Sequence, residues 1–113
     1  APQLELYVSF SGGDGVWRSA GDSVPLNAWS HGCFTYNNSS TSNDPVFYVN
    51  GVASSVEEAQ TPTGTVDSDA SDDFQIGALG ASVEPFDGKI DEVRYYDRIL
   101  SAGEIKALYS SGK

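Results

Sequence analysis

The chain has 113 residues, 39% of them hydrophobic, and sixteen acidic against six basic residues give it a formal net charge of −10. That length accommodates one domain, taken as residues 1–113, and a surface of that sign repels phosphates, which excludes nucleic acid and leaves cations and neutral ligands as partners. No apolar run approaches the roughly eighteen residues of a membrane span, and no leader or lipidation motif is present, so membrane insertion is not expected. The lone Cys33 cannot form an internal disulfide and reads as a small buried hydrophobe. Overlapping glycosylation sequons at Asn37 and Asn38 lie in a stretch so rich in Asn and Ser that they read as chance.

In chain order, Leu4, Leu6, Val8 and Phe10 alternate with polar or amphipathic neighbours, the period-two pattern of a strand with one buried face. Residues 11–15 form a Gly-rich turn, Val16 to Ala20 a second short strand, and Gly21-Asp22 another turn. Trp29 to Tyr36 suits a pleated surface, Asn37 to Pro45 is a polar loop, and Val46 to Val49 is a strand ended by Asn50-Gly51, a dipeptide made for tight hairpins. From Ala53 to Asp73 the chain is polar and holds at most one short strand, after which Phe74 to Gly77 restarts the sheet. A Phe86-Asp87-Gly88 turn then opens a strand rich in Val and Tyr that ends at Asp97-Arg98. Ser101, three residues before Glu104, forms the capping box of a helix over Ala102 to Tyr109.

The run Gly88-Lys89-Ile90-Asp91-Glu92-Val93-Arg94, followed by Leu100-Ser101-Ala102-Gly103-Glu104-Ile105, resembles the closing strand and helix of laminin G-like domains in the concanavalin A-like lectin/glucanase group. Trp29-Ser30-His31 through Thr35-Tyr36-Asn37, answered by Phe47-Tyr48-Val49-Asn50-Gly51, resembles the middle of the same pattern. The resemblance implies an all-β fold, an antiparallel jelly-roll β-sandwich with one short C-terminal helix. It also implies that several strands precede the one at Leu4 to Phe10, so the chain corresponds to the later part of the domain. On that reading the apolar faces at Leu4, Leu6, Val8, Phe47 and Val49 need cover from N-terminal strands on another polypeptide or subunit, and the chain is not a free-standing monomer.

The same group includes laminarinase-type hydrolases that work through a Glu-x-Asp-x-x-Glu strand, and no such triplet occurs here. Glu57-Glu58 and Asp91-Glu92 are adjacent pairs, which on a regular strand point to opposite faces. His31 and Cys33 share a face but lack an oxyanion-forming elbow, and His31 matches a structural histidine of the family, so a satisfied structural role is expected of it. The loop Ala78 to Glu84 carries one carboxylate where pentraxins carry a calcium-binding cluster, and the Asp67 to Asp73 acids match no calcium-loop spacing.

No catalysis is therefore expected. The resemblance implies a lectin-like carbohydrate- or protein-recognition module, an adhesion module of an extracellular or surface protein; the alternative is a structural assembly protein, such as a virion or surface-layer component. It further implies a structural Ca²⁺ held by Asp91 with backbone carbonyls from N-terminal turns, against the plainer reading that Asp91 caps a neighbouring turn. Of the tryptophans, Trp29 lies within the structural signature and is expected in the core. Trp17, near a turn, is the candidate for ligand contact.

Overall fold

The computed structural model describes residues 2–77 and 85–111. The chain divides into two units, Ala1–Asp67 with Arg98–Lys113, and Ser68–Asp97. All regular structure of the described residues lies in the first.

That unit holds two antiparallel three-stranded sheets. In the first sheet, β1 (Glu5–Val8) and β6 (Val56–Gln60) flank β2 (Gly15–Ser19). Leu6 opposes Trp17 and Tyr7 opposes Val16, so the alternation read from the sequence becomes two distinct faces. Glu5 and Tyr7 face outward, where Glu5 meets Arg18 at 2.8 Å and the Tyr7 hydroxyl donates to Asp14. Val56-Glu57-Glu58-Ala59-Gln60 is a poor strand by composition, and pairing with β2 overrides it; a bulge falls between Val16 and Trp17.

The second sheet runs β3 (Gly32–Thr35), β4 (Val46–Val49), β5 (Val52–Ser54). β4 and β5 are joined by Asn50 and Gly51, whose φ angles of 51° and 77° give the two left-handed positions that an Asn-Gly hairpin turn requires. Asn50 also ties the entry to β3: its side-chain oxygen accepts from His31 N–H at 2.9 Å, and its own N–H donates to the His31 carbonyl at 2.8 Å.

Each face of this second sheet buries a different set. Phe34 opposes Phe47, and Phe47 (1% exposed) packs with Phe10 and Trp17 into one core, with Leu4, Leu6, Val8, Tyr36, Val56 and Val66 around it. Cys33 opposes Tyr48, and both pack with Leu100, Ile105 and Leu108 below α1 (Ala102–Ser111). The sheet is thus covered by the first sheet on one side and by the helix on the other.

The helix starts where the capping box puts it. Ser101 Oγ accepts from Glu104 N–H at 3.1 Å, and Glu104 Oε1 accepts from Ser101 N–H at 2.9 Å. Arg98 grips the same carboxylate through both terminal nitrogens, at 3.0 and 2.7 Å.

Three expectations are corrected. Trp29 to His31 do not join β3, which begins at Gly32. Phe74 to Gly77 forms no strand, and neither does Lys89 to Tyr96. The second of these is broken at Glu92, whose φ of 52° is left-handed. From Lys89 to Asp97 no backbone-to-backbone hydrogen bond forms among the described residues. β-propensity makes no strand where no neighbouring strand supplies the ladder. The apolar side chains at Leu4, Leu6, Val8 and Phe47 pack together inside the first unit, Phe47 buried and the other three half-buried. The large apolar residues left exposed are others, among them Tyr7, Leu26, Trp29, Phe34, Val52, Phe74, Ile76, Phe86 and Tyr95.

Candidate functional site

Trp17 is fully buried at 0% exposure, while Trp29 is 67% exposed, the reverse of the expectation. The cause is local. Trp17 sits on the inward register of the central strand β2, opposite Leu6, and Gly15 gives its ring room, since a Cβ there would clash with Trp17 Cη2. Its indole N–H donates to Asp44 Oδ1 at 3.0 Å, and its ring meets Tyr36 at 4.9 Å between centroids. Packed on all sides in the core, the Trp17 ring has no exposed face. Asp44 was not legible as its partner, since 27 residues separate the two.

Trp29 lies instead on the connection from β2 to β3, on which Leu26 is also 73% exposed. Next to it, Ser30 Oγ and His31 Nδ1 are buried without a hydrogen-bond partner among the described residues. His31 is therefore satisfied through its backbone but not at Nδ1, and its ring lies tilted by 54° to that of Tyr109, 6.0 Å between centroids. Cys33 is half-buried below α1, and loss of water pushes its thiol pKa up, away from the thiolate a nucleophile needs.

The adjacent carboxylates behave as the pleat demands. Glu57 acts on Arg18 on the outer face, whereas Glu58 acts on Tyr36 on the inner one. Burial raises the Tyr36 phenol first, and the charges of Asp44 and Glu58 add to it. Its hydroxyl is buried with no partner among the described residues.

Asp91 is exposed, and its Oδ1 accepts from Glu92 N–H at 2.8 Å. No three His, Cys, Asp or Glu side chains come together among the described residues. Side chains alone therefore do not fit a Ca²⁺ here; backbone carbonyls would have to supply most of its six to eight oxygens. The loop Ala78 to Glu84 lies outside the described residues. No helix among the described residues is long and apolar enough to cross a membrane.

The sandwich, the hairpin at Asn50-Gly51 and the boxed helix agree with one comparison. A laminin G-type family model, described as the concanavalin A-like lectin/glucanases superfamily, matches residues 1–106. The chain belongs to this family. Its members are generally binding modules, which accords with a concanavalin A-like sandwich of two antiparallel sheets and a short helix. No curated protein and no solved structure matches the chain.

Proposed function

We propose that this chain is a non-catalytic, lectin-like recognition module of an extracellular or surface protein, taking a carbohydrate or protein ligand. The observation that carries this reading is the exposed indole of Trp29 on the β2–β3 connection, which also exposes Leu26, in a family of binding domains. An indole face open to water is a platform on which the C–H face of a sugar or an apolar side chain can stack. Glycan-array binding by the wild type that is lost in Trp29→Ala supports the reading. Equal binding by both variants, or none by the wild type, counts against the carbohydrate form of it.

A second reading, a structural assembly component, is favoured by the exposed apolar residues of Ser68–Asp97, including Phe74, Ile76, Phe86 and Tyr95. Concentration-dependent ordered assembly in sedimentation, without glycan binding, selects it. Strands supplied by another polypeptide belong to either reading as a proposal. So does a Ca²⁺ at Asp91, whose removal would destabilise the fold by mass action.

A further inference from the structure

Residues 89–96, Lys-Ile-Asp-Glu-Val-Arg-Tyr-Tyr, have the composition of a strand and lack its pairing. Ile90, Val93, Tyr95 and Tyr96 are all exposed, Tyr95 by 81%. The backbone from Lys89 to Asp97 makes no backbone-to-backbone hydrogen bond among the described residues. At the centre, Glu92 holds a φ of 52°, which an L side chain rarely adopts and which interrupts an otherwise strand-forming run. Open backbone groups beside apolar side chains are the template on which an extended peptide adds as a new strand.

Charge selects the occupant. The unit Ser68–Asp97 carries eight acidic residues against two basic, a net of −6 out of the chain's −10. Residues 89–96 are themselves neutral, Lys89 and Arg94 against Asp91 and Glu92, but a second copy would bring a unit of the same net −6, which weighs against self-pairing on this strand. A cationic segment would be drawn in, with its apolar side chains free to meet Ile90, Val93 and the tyrosines.

We propose that residues 89–96 form a latent β-strand that is completed when an extended, cationic segment of another polypeptide pairs with it, Glu92 then leaving its left-handed conformation. This rests on the recognition-module reading only in taking the ligand to be a polypeptide. Failure on a glycan array leaves it standing.

The test uses the whole chain and three ten-residue probes: alternating Lys-Val, alternating Glu-Val, and Lys-Val with alternate amides N-methylated. Amide hydrogen exchange is read residue by residue. With the Lys-Val probe, alternate amides of 89–96 should exchange about tenfold or more slowly than in the chain alone, as paired strand amides do. The Glu-Val and N-methylated probes should leave them unchanged. Glu92→Gly, which accepts a positive φ freely, should bind the Lys-Val probe roughly threefold to fivefold more weakly than Glu92→Gln, which removes the same charge but keeps a side chain. The proposal is overturned by any of four results: slow exchange at 89–96 in the chain alone, no slowing with Lys-Val, equal slowing with the N-methylated or acidic probe, or equal binding by Glu92→Gly and Glu92→Gln. Equal protection by the N-methylated probe would mean charge attraction without strand pairing.

Discussion

Truncating Trp17 tests the account of the core. The ring is fully buried, packs with Phe10 and Phe47, meets Tyr36 at 4.9 Å and donates to Asp44 at 3.0 Å. Removing a buried aromatic to Ala costs about 3–5 kcal/mol, because the transfer free energy is lost and the surroundings close the cavity only in part. Against the roughly 5–15 kcal/mol of a typical domain, that is a large fraction. Trp17→Phe keeps most of the volume and forfeits the hydrogen bond, worth about 1 kcal/mol, since Asp44 is exposed and can be rehydrated. Trp29→Ala, on an exposed side chain, should stay within about 0.5 kcal/mol of wild type. Urea denaturation followed by circular dichroism gives all three values. Fluorescence adds a second readout: Trp17→Phe leaves only the exposed Trp29, whose emission should be red-shifted and readily quenched by iodide, while Trp29→Phe should leave a blue-shifted, protected emitter. If Trp29→Ala costs as much as Trp17→Ala, or if the two emission spectra are exchanged, the assignment of core and surface is refuted.

Glu104 gives a pH prediction. The Arg98 guanidinium first, and then Ser101 N–H, hold its carboxyl down to about 2 from an ordinary 4.5. A depressed folded-state value contributes stability above the unfolded value and loses it as pH falls through the folded one. The difference in Tm between wild type and Glu104→Gln should therefore be largest above pH 5 and shrink toward pH 2; a constant difference would contradict it. Ser101→Ala removes the other half of the box and should cost about 0.5–2 kcal/mol in denaturant unfolding. Gly51→Ala should cost about 1–2 kcal/mol, since φ is 77° there and a Cβ would sit 3.2 Å from Tyr109 Cδ2. For the proposed Ca²⁺, EDTA should lower the Tm of wild type and not of Asp91→Asn; an EDTA-insensitive Tm, equal in the two proteins, removes the metal.

What the sequence revealed follows the range of the forces involved. Local rules located the capping box at Ser101 and Glu104, the left-handed pair at Asn50 and Gly51, and the alternation at Leu6 and Val8, because each depends on residues a few positions apart. Family membership was legible from two motifs for the same reason. The two tryptophans were not, since their burial depends on which strand is central and on an acceptor 27 residues away. Lys89 to Tyr96 shows the opposite limit: a strong strand composition whose outcome depends on a neighbour that composition cannot supply.

The recognition reading is tested most directly by measuring binding and stability on the same Trp29→Ala sample. Affinity for a glycan or peptide ligand of the wild type should fall at least about tenfold, a loss of roughly 1.4 kcal/mol, while the unfolding midpoint stays within error of wild type. An unchanged affinity, or a loss of affinity matched by a loss of fold, would contradict the claim that the exposed indole is a binding platform.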